Sequence, residues 1–366
     1  MEPITHLLTG ACLARAGFNR KTAYATVAMT LAAEVPDLDV LWGFGGPIAA
    51  FQHHRGWTHT FIGLPIDAAV VIGAIWLIHR LRHRKEPPHP ASQPPPGKEA
   101  LPPVRWGILY GLALIALLSH LLLDWTNNYG LRPFFPFNPR WYAGSFVFIF
   151  EPVIFAFLLI ALIAPALFGL VSNEVGVRKT PFRGRGWAIA ALIGIVALWC
   201  LRYFEHSKAL ELAQTGDYSS DAPISRVTAD PYPINPFRWQ TVAEAPMFFQ
   251  TATADTLNNN LSTTQADRFY KPPTTLYTLI AKRSWLGQAY LDWSSFPLVT
   301  DIGPNTDGLN VVTFRDLRFL YDTPLVSGRD TQLIISRREK PPLSGAVYIN
   351  DDRRVVRMEM DARVQR

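Results

Sequence analysis

Four apolar stretches interrupt the polar pattern of the first 204 residues, each close to the length that crosses a lipid bilayer. A membrane-spanning helix needs roughly 20 consecutive apolar residues. The stretches run at about Phe61–Ile78, Trp106–Leu123, Phe146–Val171 and Trp187–Phe204. The pattern therefore predicts a multi-span helical membrane domain over residues 1–204.

The first forty residues contain two shorter apolar arms, Ile4–Ala16 and Thr22–Val35. Each arm is too short for a full span, so a re-entrant or bundle-buried helical pair is predicted. A water-soluble lid is the alternative that the sequence leaves open.

The pattern changes after Glu205, where no apolar run is long enough to span a membrane. Residues 205–214 are predicted to continue the last helix. The segment "NPFRWQTVAEA" then opens a region of alternating, β-branched and aromatic residues, which is typical of strands. We predict an antiparallel β domain of about six to eight strands within residues 205–366, and hence an α+β protein. The segments with this pattern are "TTLYTLIAKR", "GQAYLDWSSF", "LNVVTFRDLRFLY", "TQLIISRR" and "GAVYIND".

Composition and charge support a membrane protein and indicate its orientation. The chain is 49% hydrophobic and 17% charged, whereas soluble domains carry about 25% charge. The net charge of +6 comes from basic residues beside the apolar runs, which indicates orientation rather than nucleic-acid binding. Lys and Arg are concentrated in the loops 79–105 and 172–186. Their concentration predicts that these loops are cytoplasmic and that the β domain lies outside the cytoplasm of an inner-membrane protein.

Three further features bound the fold. The proline-rich stretch 86–103, "EPPHPASQPPPGKEALPP", predicts an extended cytoplasmic linker, because proline interrupts helices and central strands. The start "MEPITHLLTG" lacks the basic region of a cleaved signal peptide. Cys12 and Cys200 both lie in apolar context, so no disulfide framework is implied.

Ionisable side chains cluster at one end of the predicted membrane segments, at the level that the charge pattern places outside. Such groups are costly at membrane depth and usually face a bundle interior or a cavity. Histidine and carboxylate together suit zinc or another divalent transition metal. Two of them, His120 and Asp124, are four residues apart and share one helix face. The group comprises His6, Asp37, Asp39, His53, His54, His59, His120, Asp124 and Glu151, with Asp67 about two turns deeper.

Residues of this group, and the neighbouring Arg55, also have ordinary structural explanations. His6 can be a surface histidine, and Asp39 can cap a turn. Glu151 can be a helix-start acid favoured by the helix dipole. Arg55 can pair with Asp37 or Asp39. The convergence of so many at one end favours a functional site.

Four motifs in order carry a resemblance to a known family: "THLLTG", "PDLD", "HRGWTH" and "SHLLLDWTNNYG". Over about residues 1–170 the chain resembles the bacterial inner-membrane metal-dependent hydrolases, often described as LexA-binding or LexA-regulated. That family is thought to be distantly related to zinc-dependent phospholipase C and P1 nuclease.

The resemblance implies a metal site, most simply for Zn²⁺, with Mn²⁺ as the alternative. Arg55 matches the arginine of the family's histidine loop. Glu151 stands before Pro152 where the family often has aspartate, so its longer side chain departs from the pattern. The matching ligand candidates are His6, Asp37, His54, His59, His120 and Asp124.

These features predict a membrane-bound metal-dependent hydrolase that acts on a phosphoester or lipid-linked substrate at the outer face of the membrane. In this prediction Arg55 anchors an oxyanion, and Asp39 or Glu151 orients the attacking water. The expected partners are the bilayer and the substrate, without nucleic acid; a protein partner for the β domain is left open. Two alternatives remain: a non-catalytic membrane scaffold, and a transporter or ion-handling protein, which would need ionisable residues through the whole membrane depth.

Overall fold

The computed structural model describes residues 1–83, 102–174, 184–218, 223–321 and 342–365. Most of the predicted linker 86–103 and all of "TQLIISRR" lie outside these residues. The chain forms two compact units. The first comprises 1–38, 55–143 and 149–200, and the second comprises 39–54, 144–148 and 201–366.

The first unit is helical, and its helices are numbered here along the whole chain. α1 and α2 form the predicted pair of short arms, although α2 is shorter than its predicted segment. The other helices of this unit carry the apolar stretches. The bounds are α1 Pro3–Arg15, α2 Ala25–Ala32, α4 Gly63–His83, α5 Trp106–Thr126, α6 Pro152–Glu174 and α7 Arg185–Thr215, which passes into the second unit after Cys200.

Small residues allow the first helices to pack closely. A Cβ added at Gly10 of α1 would lie 2.4 Å from the carbonyl oxygen of Met29 in α2, so only glycine fits there. Alanines of α2 and α5, including Ala28 and Ala113, are fully buried in the same core. Close backbone approach through small residues is the usual basis of helix packing in membranes.

Within the described residues, α4, α5 and α7 are long and apolar enough to cross a membrane. The apolar part of α6, Pro152–Phe168, is shorter. The third predicted stretch began at Phe146, but the helix begins at Pro152. Proline is favoured in the first turn because it has no amide hydrogen to leave unpaired.

The second unit contains two antiparallel sheets. The first has the order β1-β2-β3-β4 and the second the order β5-β6-β7-β8-β9. Both are therefore meanders in which each strand pairs with the next strand in sequence. The strand bounds are β1 Arg226–Pro231, β2 Arg238–Glu244, β3 Phe248–Asp255, β4 Asn260–Tyr270, β5 Pro297–Pro304, β6 Asn310–Asp316, β7 Gly345–Ile349, β8 Val355–Met360 and β9 Arg363–Val364.

The predicted mixture of helices and antiparallel strands is confirmed, but two predicted strands are helices. "TTLYTLIAKR" forms α8, Leu276–Arg283, and "GQAYLDWSSF" lies largely in α9, Trp285–Trp293. Thr275 and Ser284 cap the two N-termini with their side chains, which stabilises helical starts. In α9 the buried residues recur at helical spacing, and this periodicity outweighs their aromatic strand preference. These residues are Leu286, Ala289, Tyr290 and Trp293.

A short helix between the sequence motifs also belongs to the second unit. This helix, α3, spans Pro47–His53. The ring of Phe51 packs 5.2 Å from that of Trp293, centroid to centroid, and the indole of Trp285 donates a 2.7 Å hydrogen bond to Gln52. Residues 39–54 therefore fold with the β unit although they lie between two motifs of the helical unit.

Candidate metal centre

Three elements carry the four residues of the candidate site. Asp37 lies in the 3₁₀ segment Val35–Gly45 that follows α2. His59 ends the 3₁₀ turn Trp57–His59, just before α4. His120 and Asp124 lie one turn apart near the end of α5. A Cβ on Gly63 would lie 2.2 Å from the Trp57 carbonyl oxygen, so glycine is needed for the close turn that holds His59.

One ligand atom from each of Asp37, His59, His120 and Asp124 lies within 4.8 Å of all the others. The Nε2 atoms of His59 and His120 are 3.0 Å apart. Asp124 Oδ2 lies 3.3 Å from His59 Nε2 and 3.4 Å from His120 Nε2. Asp37 Oδ1 lies 3.5 Å and 3.7 Å from the same two nitrogens. Two imidazoles and two carboxylates thus converge on one small space.

Hydrogen bonds at the far side of each ring orient the two histidines. His120 Nδ1 lies 2.7 Å from the carbonyl oxygen of Ala33, which can only accept. Nδ1 must therefore carry the proton, and Nε2 presents a lone pair to the group. His59 Nδ1 lies 3.1 Å from the hydroxyl of Thr58. A hydrogen bond at the ring nitrogen that faces away from the metal is characteristic of metal-binding histidines.

The carboxylates retain unused hydrogen-bonding capacity inside the protein. The side chain of Asp124 is 1% exposed, yet its Oδ2 makes no hydrogen bond within the described residues, and neither does Asp37 Oδ2. A buried acceptor without a donor costs about 1–3 kcal/mol. A cation between these oxygens and the imidazole nitrogens would offset that cost, and the donor set suits Zn²⁺ or Mn²⁺. The residues therefore fit a divalent metal.

His6 lies at the edge of this group. Its ring stacks on that of His120 with a centroid distance of 3.7 Å. Its Nε2 lies 3.4 Å from Asp124 Oδ1 and 3.0 Å from the backbone nitrogen of Met1. Burial, with His120 nearby, lowers the pKa of His6 well below its usual range. The ring is therefore neutral at pH 7, the form in which imidazole binds metals.

Arg55 contacts Asp124, a partner that the sequence interpretation did not consider. Its guanidinium donates to Asp124 Oδ1 at 2.7 Å, to the Gly130 carbonyl oxygen at 2.8 Å and to Asn127 Oδ1 at 3.1 Å. The backbone of Arg55 is left-handed, with φ of 55°. These contacts fix the orientation of Asp124, while contact with a substrate oxyanion stays a prediction.

Two of the predicted site residues contact each other. His54 Nδ1 lies 3.3 Å from Asp39 Oδ1, and the His54 side chain is 38% exposed. Both belong to the second unit, and the four-residue group includes neither. Their roles as ligand and catalytic carboxylate stay predictions.

Glu151 is fully buried at the start of α6, where its carboxylate accepts a 3.5 Å hydrogen bond from the Val153 amide. This contact fits the helix-start explanation, and its catalytic role also stays a prediction. The sequence interpretation missed Thr58, the Ala33 carbonyl and Asn127. Of these, Asn127 had a sequence signal, because it directly follows α5 in "DWTNNYG".

Comparison with known proteins supports a membrane protein of one family. Residues 1–209 match the family described as YdjM inner membrane protein. The uncharacterized protein YfhP of Bacillus subtilis (strain 168) is 24% identical over 163 residues, 42% of this chain and 43% of that protein. The chain therefore spans less than half of that relative. No solved structure matches the chain, so the distant likeness to phospholipase C and P1 nuclease stays a prediction.

The family match covers more than half of the chain and includes all four converging residues. The three apolar helices independently indicate a membrane protein. The chain belongs to the YdjM inner membrane protein family.

Proposed function

We propose that this protein is a membrane-bound metal-dependent hydrolase that cleaves a phosphoester or lipid-linked substrate at the outer face of the inner membrane. The observation that carries the proposal is the buried Asp124 Oδ2, which faces two imidazole nitrogens and receives no hydrogen bond from the part of the chain that the structure describes. A divalent ion bound there lowers the pKa of water toward about 7 and polarises a phosphoryl or acyl oxygen.

The protein's own residues would prepare this chemistry. Asp37, His59, His120 and Asp124 would hold the ion, and the second ring nitrogens keep the two histidines in place. Arg55 neutralises Asp124 and prevents it from rotating away from the group. The side chain of Asp37 is 13% exposed, against 0–1% for the other three, so the group opens toward water on the Asp37 side. Asp37 Oδ2 is therefore the carboxylate oxygen best available to orient a water molecule.

Within the described residues, the distribution of charge favours a hydrolase over an ion pathway. A proton or ion pathway needs ionisable groups along the membrane depth. α4 contains one acidic residue, Asp67, and α5 contains one, Asp124, which belongs to the group of four. The converging ligands lie at one end of both helices.

Metal content tests the proposal. Protein purified in detergent should contain near-stoichiometric zinc or manganese by inductively coupled plasma mass spectrometry. A His59→Ala, His120→Ala double variant should lose it. His83→Ala is the matched control, because His83 is exposed at the opposite end of α4 from the group, and its loss should leave the content unchanged. A folded wild-type protein that stays metal-free after reloading would contradict the proposal and favour a non-catalytic scaffold.

The proposed orientation needs a separate test. We propose that the β unit lies outside the cytoplasm, on the strength of the basic loops. A cysteine replacing exposed Asp307 of the β unit, in a Cys200→Ser background, should react with a membrane-impermeant maleimide in intact spheroplasts. Reaction only after lysis would show that the β unit faces the cytoplasm and would contradict the proposed orientation.

A further inference from the structure

Two loops of the helical unit expose an unusual number of aromatic side chains beside the candidate metal centre. One loop carries His59 and leads into α4; the other, residues 127–142, follows α5. The exposed fraction is 55% for Trp57, 47% for Phe61, 48% for Phe134 and 86% for Phe137. Aromatic rings exposed together need an explanation, because apolar patches on a protein surface commonly mark interaction sites.

The two loops form one surface. The Phe61 amide donates a 2.9 Å hydrogen bond to the Pro133 carbonyl oxygen. The rings of Phe61 and Phe134 are 5.4 Å apart, and those of Trp57 and Phe135 are 5.0 Å apart. We call the five residues Trp57, Phe61, Phe134, Phe135 and Phe137 the aromatic platform.

The platform has a fixed backbone. Leu131 and Tyr142 exchange hydrogen bonds of 2.9 and 2.8 Å, which close the second loop at its base. Inside the loop the Asn138 amide donates to the Phe134 carbonyl oxygen at 3.0 Å. The rings are therefore presented by an ordered loop.

The aromatic platform lies at the ends of α4 and α5, which places it at a membrane boundary. α4 begins at Gly63, two residues after Phe61, and α5 ends at Thr126, before the second loop. Both helices are long and apolar enough to span a bilayer. Aromatic residues at the ends of spans favour the headgroup level, where an apolar body and a polar edge are both accommodated.

The charge of the second loop indicates the chemistry of its partner. Residues 125–150 contain no aspartate or glutamate but include two arginines. Arg132 lies over the ring of Trp141 at 4.5 Å, and exposed Arg140 lies over that of Tyr142 at 5.7 Å. Basic and aromatic side chains together match the anionic phosphate and the acyl boundary of a phospholipid.

We propose that the aromatic platform binds phospholipid of the bilayer that the protein spans, and that phospholipid is the substrate class of the adjoining metal centre. The second part rests on the proposed hydrolase function. The first part, contact between platform and lipid, does not depend on any activity.

Lipid contact is tested with an environment-sensitive label. A nitrobenzoxadiazole group is attached to Phe137→Cys in the full-length protein with Cys200→Ser, reconstituted in phospholipid nanodiscs. Its fluorescence should be blue-shifted, quenched by doxyl-labelled lipid and protected from iodide. The same label at Asp307→Cys, on an exposed turn of the β unit, is the control. Its fluorescence should not be blue-shifted, and iodide but not doxyl-labelled lipid should quench it. A Phe137 label that iodide quenches and doxyl lipid does not would overturn the proposal.

A photo-crosslinker distinguishes lipid from protein as the occupant. Benzoylphenylalanine at position 137, irradiated in native membranes, should yield adducts with the mass of phospholipids. Adducts with protein alone would overturn the proposal and make the platform a protein-binding surface.

The substrate class is tested by kinetics. A Phe134→Ser, Phe137→Ser variant should raise KM for phospholipid in mixed micelles about tenfold or more, since each ring loses its apolar contact. Metal content should stay that of the wild type. An unchanged KM would overturn the substrate assignment. If the wild type holds metal, contacts lipid and hydrolyses no phospholipid, the substrate assignment fails and the lipid contact stands.

Discussion

The two units each bury an aspartate beside an arginine, and the two carboxylates are used differently. In the β unit, Asp316 accepts hydrogen bonds from Arg318 through the backbone amide, Nε and a terminal guanidinium nitrogen, and from Ser294 and the Ser295 amide. In the helical unit, Arg55 contacts one oxygen of Asp124, and the other faces two imidazole nitrogens.

The difference separates a fully hydrogen-bonded carboxylate from one that could bind a metal ion. A buried ion pair is tolerated when hydrogen bonds satisfy the remaining capacity of both partners, as at Asp316. Among the described residues, one oxygen of Asp124 has no hydrogen-bond donor, and a buried acceptor without a donor costs about 1–3 kcal/mol. Incomplete hydrogen bonding, within the described residues, therefore distinguishes Asp124 from Asp316 in this protein.

Asp316→Asn tests the structural side of this comparison and should have the largest effect on stability. It removes the carboxylate charge that contacts buried Arg318 at 2.9 Å, and breaking a comparable buried pair costs about 3–5 kcal/mol. Thermal unfolding in nanodiscs, followed by tryptophan fluorescence, should show a marked fall in Tm. Exposed Asp352→Asn is the control. Metal content per folded protein should not change, and a parallel loss of metal would remove the distinction between the two carboxylates.

Arg55→Met tests whether arginine serves Asp124 as a positioning residue. Removing a group that orients a metal ligand typically lowers metal affinity about 10–100-fold. Competition with a fluorescent zinc chelator measures the affinity, and Arg354→Met, at an exposed position, is the control. Unchanged affinity, with activity alone reduced, would return Arg55 to the role of oxyanion anchor.

Thr58→Val should have a smaller effect on the same affinity. The hydroxyl contacts His59 Nδ1, and its loss leaves the ring less firmly oriented, so we expect a decrease of about tenfold. Thr58→Ser retains the hydroxyl and should restore wild-type affinity. Equal affinities for the valine and serine variants would show that this contact does not orient His59.

The smallest expected effect concerns pH and the β unit. Burial opposes ionisation of Glu244, but hydrogen bonds from Lys271 and Arg226 outweigh it and lower the pKa of Glu244. Because the pKa is lower in the folded state, the stabilisation is present above the unfolded value of about 4.3 and disappears as pH falls through the folded value. The partners are partly exposed and screened, so the contribution is at most about 1 kcal/mol.

Glu244→Gln should therefore flatten the acid limb of a Tm-against-pH curve slightly. Exposed Glu211→Gln is the control and should leave the curve unchanged. A Glu244→Gln curve parallel to that of the wild type would assign no net stabilisation to this ion pair.

The sequence anticipated the helical unit better than the β unit. Long apolar runs have few alternatives to membrane helices, and α4, α5 and α7 lie where predicted. In the β unit, short aromatic segments fit either structure. Two of these segments form helices because Thr275 and Ser284 cap their N-termini and because the buried residues of α9 recur at helical spacing. These effects outweigh the strand preference of their aromatic residues.

The candidate site shows the same division. The motif order indicated the ligand types, and spacing alone placed His120 and Asp124 on one face of α5. The sequence did not separate His54 from His59, because both stand in the same nine-residue stretch, "HHRGWTHTF". The structure separates them: residues 39–54 pack with the β unit, so His54 pairs with Asp39 while His59 joins Asp37.

What the sequence by itself determined is the membrane character, the α+β composition and the chemical type of the candidate ligands. These follow from local apolar length and from residue identity. Only the tertiary structure decided that Asp37, His59, His120 and Asp124 converge and that Arg55 holds Asp124. It also decided that the loop carrying Trp57 and Phe61 and the loop 127–142 form one aromatic surface. The physical reason is that convergence depends on how helices pack, and packing is set by contacts between segments distant in sequence.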